Sequence, residues 1–212
     1  MSNIRITKED FSSQMFTDRF SYLQKMYKKG NILDIGNVGG VFGEGKSDSF
    51  HLHFVEYTGE ESTVYGFDLF PAPVEHEHLY THQKQGNIEH GLPYEDNFFD
   101  TVYMGEVLEH LPNTGISLQE VKRVLKDDGV FILDVPNAYS LYRIIRYAFK
   151  RYEDLGDPTH LVFFTPASLR ASLGLAGFEI IDLNTRLSKK MMPAKIFRGL
   201  GGHILCVAKK ND

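Results

Sequence analysis

Two stretches of the 212-residue chain carry residue types at spacings that can do chemistry. The first is Glu106-Val107-Leu108-Glu109-His110. A helix beginning there would set Glu106, Glu109 and His110, at i, i+3 and i+4, on one face. Two carboxylates and an imidazole can hold a divalent ion, and such a mixture does not fix which ion. The same residues can instead start a helix or anchor backbone, with the imidazole as a simple base or a hydrogen-bonded wall. The second stretch, Asn31 to Phe50, has two readings. From Gly40 it matches the phosphate loop G-x-x-x-x-G-K-[ST], with Gly40, Gly45, Lys46 and Ser47 in register, which would make the protein a nucleotide triphosphatase. From Ile32 it is an apolar strand ending in Asp34-Ile35-Gly36 and a glycine-rich turn, the opening of a nucleoside-cofactor cleft.

The surrounding residues decide between them. A phosphate loop needs its first glycine directly after the strand, whereas Asn37 to Gly39 would be an idle spacer here, and an acid at Asp34 would repel phosphates. In the cleft reading Gly36 allows close backbone approach, and Asp68, ending the strand Thr63 to Asp68, can accept both ribose hydroxyl protons. The distance from Gly36 to Asp68 exceeds the usual ~20 residues because Val41 to Ser47 is an insertion. His76, His78 and His82 read as solvated residues after a strand, and the single cysteine, Cys206, as a buried strand thiol.

The elements that must position these groups alternate. Helical spacing over Phe11 to Lys28 leads into the strand Ile32 to Ile35, and a helix capped by Ser47 or Asp48 runs to Tyr57. Strands follow at Thr63–Asp68, Thr81–Asn87, Phe99–Met104 and Val130–Val135, with a helix over Leu118–Leu125. A helix over Tyr139–Arg151 turns Leu141, Ile144, Ile145 and Phe149 toward the core. The strands Phe178–Leu183 and His203–Ala208 pair as a hairpin across a basic loop. Such alternation predicts an α/β fold with a mainly parallel sheet covered on both faces, in one domain over residues 1–212.

The N-terminus lacks the apolar core of a signal peptide and no run approaches a membrane span, so a cytoplasmic protein is expected. Net charge is −5, unevenly spread: from Tyr139 onward 12 Lys and Arg face 6 Asp and Glu, leaving 11 against 22 before it. That overall sign, without an appended RNA-binding module, argues against nucleic acid as partner.

Five segments together, "ILDIGNVGG", "VYGFDL", "GNIEHGLPYEDNFFDTVYMGEVLEHL", "EVKRVLKDDGVFILDVPN" and "HLVFFTPASLRASLGLAGFEI", resemble class I S-adenosylmethionine-dependent methyltransferases in order and spacing. The resemblance implies a Rossmann-like three-layer sandwich on a seven-stranded sheet whose last strand is antiparallel. It implies S-adenosylmethionine as cofactor, with Asp34, Gly36 and Asn37 beside its amino-acid end, Asp68 and Leu69 at its ribose, Asn87 and Ile88 at adenine, and Met104, Gly105 and Glu106 along the methionine part. Val38 stands where the family usually has glycine, so the turn must differ in shape. The E-x-x-E-H motif with His160 in "GDPTHLVFF" is similar to the metal site of small-RNA terminal-ribose and ubiquinone-pathway O-methyltransferases. It implies Glu106, Glu109, His110 and His160 around Mg²⁺ or another divalent ion, or His110 and His160 as metal-free catalytic groups.

The expected activity is O-methylation of a small acceptor. Residues 1–30 would be a helical lead-in, and 139–160 and 185–201 substrate-side elements. Arg143, Arg146, Lys150 and Arg151, interleaved with tyrosines, and the stretch "RLSKKMMPAKIFRG" favour an anionic acceptor such as a glycan precursor, nucleotide sugar or lipid precursor. A cofactor- or partner-binding protein of the same fold without turnover is the alternative.

Overall fold

Alternating burial along short apolar strands builds one sheet here, in a computed structural model that describes residues 4–14, 16, 18–38, 50–72, 77–78, 80–150, 157–186 and 199–211. The phosphate-loop match at Gly40 to Ser47 lies outside these residues, as do His76 and Lys189 and Lys190. The chain runs α1 (Arg19–Met26), β1 (Asn31–Ile35), α2 (Phe50–Thr58), β2 (Thr63–Asp68), β3 (Gln83–Gln85), β4 (Phe99–Gly105), α3 (Thr114–Val124), β5 (Leu125–Pro136), α4 (Leu141–Lys150), α5 (Pro166–Leu175), β6 (Phe178–Arg186) and β7 (His203–Lys210). The sheet order is β3-β2-β1-β4-β5-β7-β6. β1 to β5 pair in parallel, while β7 lies antiparallel between β5 and β6. This is the expected Rossmann-like seven-stranded sheet with its last strand reversed.

The two faces are separated by strand periodicity. Leu33 and Ile35 of β1, Val102 and Met104 of β4 and Leu133 and Val135 of β5 pack with Leu118 and Val121 of α3 and Leu169 and Leu173 of α5. Ile32, Tyr103, Ile132, Leu205 and Val207 pack on the other face with Tyr22 and Leu23 of α1 and Phe54 of α2. Because the order reverses on either side of β1 and β4, a crevice opens beyond the carboxyl ends of these two strands.

The lead-in differs from the helix expected over Phe11 to Lys28. Among the described residues of the lead-in, only Lys8–Asp10 form a 3₁₀ turn and only Arg19–Met26 an α-helix, started by Asp18, whose carboxylate accepts from the Ser21 amide at 2.8 Å. The reason is packing: Phe11 is buried in the first face cluster and Phe16 in the second, so the chain between them crosses the sheet edge. There the Ser12 amide donates to the Leu183 carbonyl at 2.8 Å. One helix cannot serve both faces. At the other end of the chain, α5 begins with Thr165 capping the Ser168 amide at 3.1 Å and Pro166 at the first helical position.

Asn137, fully buried just past β5, ties the loop after β5 to the chain entering β7. Its Nδ2 donates to the carbonyls of Gly199 at 2.9 Å and Gly201 at 2.8 Å, while its Oδ1 accepts from the Tyr139 amide at 3.0 Å. Replacing it leaves one buried and one partly buried carbonyl without this donor. We therefore expect Asn137→Ala to lower stability by about 2 kcal/mol, read as a lower urea midpoint at unchanged slope; an unchanged midpoint would show that water takes over both carbonyls.

Candidate active site

The expected cofactor residues converge on the crevice. Gly36 sits at φ +77°, and a Cβ there would run into the Val107 side chain, so glycine is required where the β1 turn meets the chain leaving β4. Asn37 is buried and its amide pairs reciprocally with Gln83 of β3, Nδ2 to Oε1 at 2.6 Å and Nε2 to Oδ1 at 3.0 Å. Val38 avoids positive φ, and its amide donates to Asp68 Oδ2 at 2.9 Å. The other Asp68 oxygen accepts from the Phe70 amide at 2.9 Å. Burial raises the Asp68 carboxyl above its ordinary pKa, with the Phe70 and Val38 amides pulling the other way. One carboxylate thus clamps the turns after β1 and β2 together. Leu69 and Phe70 beside it are exposed.

Other residues take more structural positions than expected. Asn87 caps the 3₁₀ turn Ile88–His90 by accepting from the Glu89 amide at 2.9 Å, and Ile88 is buried in the core. Met104 is fully buried, and a Cβ on Gly105 would collide with the Tyr103 ring. His78 is exposed, and the His82 ring packs 4.9 Å from that of Tyr65. Cys206 is fully buried, which pushes its thiol pKa up and makes it a core residue.

The structure divides the E-x-x-E-H motif. Instead of starting an α-helix, Glu106 takes φ +56° and its amide donates to the Asp134 carbonyl at 2.7 Å. Only Leu108–His110 form a helical turn, of 3₁₀ type. The three residues therefore do not share a face, and Glu106 turns away from the expected four-ligand set. Its Oε1 lies 3.3 Å from His203 Nδ1, 3.6 Å from Arg19 and 3.9 Å from Arg186. His203, at the start of β7, also places Nδ1 3.0 Å from Oδ1 of the buried Asp134. With two carboxylates facing it, Nδ1 carries the proton and Nε2 is the basic nitrogen. Above this group Arg19 lies 4.8 Å over the Phe50 ring, and Phe50 stacks on Tyr103 at 5.0 Å. A second buried pair, His51 Nδ1 with Asp34 Oδ2 at 2.9 Å, stands where α2 meets β1.

Glu109, His110 and His160 do come together, with one donor atom from each within 4.8 Å of the others. The backbone explains why: the Glu109 carbonyl accepts from the amides of Leu161 at 2.8 Å and Val162 at 3.0 Å, stitching the His160 loop onto the β4 exit. The imidazoles of His110 and His160 are 4.7 Å apart. The Thr159 hydroxyl gives its single proton to Asp157 Oδ1 at 2.6 Å. His110 Nδ1, 2.9 Å from that hydroxyl oxygen and 3.2 Å from the Thr159 carbonyl, must therefore be the donor, leaving Nε2 with the lone pair. Glu109 is buried, and neither carboxylate oxygen has a hydrogen-bond partner among the described residues; nor has His160 Nδ1. Glu109 Oε1 and His160 Nε2 stand 3.9 Å apart, too far for a direct bond. Burial pushes the Glu109 carboxyl up to about 8, and burial, then His110, push His160 down. This set can take up a proton or a cation near neutral pH.

Sequence reasoning found this trio but missed Asp134, His203, His51, Arg19 and Arg186. The available signal was an acid inside each of two otherwise apolar strands, Asp34 and Asp134.

The chain matches a family model described as a methyltransferase domain over residues 11–183. It is similar to an uncharacterised protein of Methanocaldococcus jannaschii, 26% identical over 92% of this chain and 87% of that one. It is also similar to a ubiquinone biosynthesis O-methyltransferase of Azorhizobium caulinodans, 26% identical over 72% of this chain and 60% of that one. Among solved structures it shares the fold of a Burkholderia thailandensis 1,6-didemethyltoxoflavin N1-methyltransferase with bound S-adenosylhomocysteine, at TM-score 0.59 and 17% identity, covering 91% and 76% of the two chains.

The buried Glu109 has a testable signature. A carboxyl at about 8 in the folded state, against an ordinary value of 4.5, binds its proton more tightly folded than unfolded. Its contribution is complete below about pH 4.5 and is lost as pH rises through about 8, by no more than about 5 kcal/mol. In metal-free buffer, the stability of the wild type relative to Glu109→Gln should fall across that window; a flat difference would mean that Glu109 is already paired.

Proposed function

The chain belongs to the methyltransferase-domain family, and from that premise we propose that it transfers a methyl group from S-adenosylmethionine to a hydroxyl of a small, anionic acceptor. The observation that carries the reading is the Glu109 carboxylate, without a hydrogen-bond partner among the described residues and facing His160 beside the crevice.

The residues present fit the cofactor. Gly36 gives a backbone approach that a Cβ would close, and Asp68 is fixed at the end of β2 with one amide on each oxygen. Glu106 and Asp34, with Arg19 and Arg186, supply both signs of charge needed by a zwitterionic amino-acid end. When bound, S-adenosylmethionine supplies an electrophilic methyl on a sulfonium. The chain's own task is to orient an acceptor oxygen and remove its proton. His110 Nε2, fixed by the Asp157–Thr159 relay, and Glu109 with His160 are the groups assigned to hold that proton. The same three can hold a divalent cation that lowers the hydroxyl pKa, and two imidazoles favour a first-row ion over Mg²⁺. The acceptor's charge is assigned to Arg143, 4.9 Å over the Phe163 ring just beyond His160, and to Arg146. The ubiquinone-pathway relative, an O-methyltransferase by name, agrees with a hydroxyl acceptor.

Calorimetric titration with S-adenosylmethionine, S-adenosylhomocysteine and ATP, with and without Mg²⁺, tests the cofactor. Binding of the first two alone is expected, and binding of ATP alone would return the reading to Gly40–Ser47. Asp68→Ala should weaken S-adenosylmethionine by roughly tenfold or more. Against an acceptor panel, Glu109→Gln and His160→Ala should each lower kcat by roughly 100-fold while sparing cofactor affinity. Full turnover in both variants would remove the trio from the mechanism, and survival of wild-type turnover in chelator would assign it to proton transfer alone.

A further inference from the structure

Strand β3 is three residues long and lies at the edge of the sheet, yet two of its side chains reach the cofactor end of the crevice. Gln83 and Gln85 are two residues apart and so share one face of the strand. In register they stand beside Gly66 and Asp68 of β2. Gln83 grips the turn after β1: its Oε1 accepts from Asn37 Nδ2 at 2.6 Å, and its Nε2 donates to Asn37 Oδ1 at 3.0 Å. Gln85 grips the turn after β2, donating from Nε2 to the Leu69 carbonyl at 3.0 Å. These are the two turns whose amides, from Val38 and Phe70, each occupy one oxygen of Asp68.

The residues around the Asn37–Gln83 pair are fitted to it. Gly66 is buried between its partners in β1 and β3, and a Cβ there would run into both Gln83 Oε1 and Asn37 Nδ2. Its φ is not positive, so the amide pair, and not the backbone conformation, requires glycine at this position. Asn37 is only 6% exposed, and its amide needs partners from the protein. Two reciprocal bonds fix both the place and the orientation of Asn37, the residue immediately before Val38. Val38 stands where glycine would let the turn follow another path, and a valine resists positive φ. Its amide stays on Asp68 because the residue before it is pinned from β3.

We propose that Gln83 is a positioning residue for the cofactor's ribose, acting through Asn37 and the Val38 amide to aim the Asp68 carboxylate at the two hydroxyls. The inference rests on the assignment of Asp68 to the ribose of S-adenosylmethionine. A glutamine that only stabilised the fold would change the affinity of every adenosine ligand alike, whereas one that aims Asp68 changes only the part owed to the hydroxyls. The test is calorimetry of the full chain with S-adenosylhomocysteine and with its 2′,3′-dideoxy analogue. The wild type should bind the first at least about tenfold more tightly, as expected for hydrogen bonds to a carboxylate. Gln83→Ala, a change at a partly exposed edge position, should weaken S-adenosylhomocysteine by roughly five- to tenfold and leave the dideoxy analogue within about twofold. Combined with Asp68→Ala, it should cost no further affinity, because the two act on one interaction. An undiminished preference in Gln83→Ala, or an equal loss for both ligands, would overturn the inference and leave the cofactor reading standing. Equal wild-type affinity for the two ligands would remove Asp68 from the ribose and the inference with it, and binding of neither would overturn the cofactor reading itself.

Discussion

Everything at the working end of this sheet answers to one constraint: carboxylates buried in an apolar sheet must be compensated locally. Asp34 in β1 and Asp134 in β5 are almost completely excluded from solvent. An uncompensated buried charge costs several kcal/mol, so each must find a cation or donors. Asp34 finds His51 from α2, and Asp134 finds His203 from β7 through Oδ1, while its Oδ2 has no hydrogen-bond partner among the described residues. These pairs fix where α2 and β7 can sit against β1 and β5. Asp68, by contrast, is met by backbone amides, and so governs the path of the two turns rather than the position of a helix or strand.

Glu109 is the exception, and its isolation gives it chemical character. The surrounding hydrogen bonds use its backbone carbonyl, which two loop amides occupy, and among the described residues none reaches the side chain. The fold thus holds a carboxylate in place through its main chain while keeping its oxygens available. Preorganised but unsatisfied polar groups are disfavoured in a core and recur at functional sites. The left-handed Glu106 three residues earlier fits the same pattern, since it breaks the helix that would have merged two charge clusters into one.

The sheet was legible because its signal is local: apolar runs, turn glycines and alternation with helices identify each main strand, and Thr63–Asp68 matches its expected bounds. The lead-in was misread because Phe16, Phe20, Leu23 and Tyr27 fall at helical spacing, while Phe11 and Phe16 serve opposite faces of the sheet, which only the closed sheet reveals. In the site, His110 and His160 could be grouped only by resemblance, 50 residues apart as they are in the sequence. Partners such as Asp134 with His203, or Glu106 with Arg19 and Arg186, depend on strand order and on one residue's positive φ. Neither leaves a periodic trace. Ile144, Ile145 and Phe149, expected to face the core, are instead 44%, 46% and 83% exposed on α4, because amphipathic spacing states that a helix has two sides and not which side is covered.

The insertion of β7 between β5 and β6 also orders events in time. Residues 203–210 follow every other strand in the sequence, yet they occupy a central place beside β5. As the chain leaves the ribosome, the edge of β5 stays open until β7 arrives, exposing unpaired backbone groups along an apolar strand. Over the same interval Asp134 has no imidazole and β6 has no partner in the sheet. The nascent protein must therefore pass through a stage in which β1 to β5 can already pair while His203, the partner of Asp134 and Glu106, is still being synthesised. That stage is when a chaperone would find the most to shield.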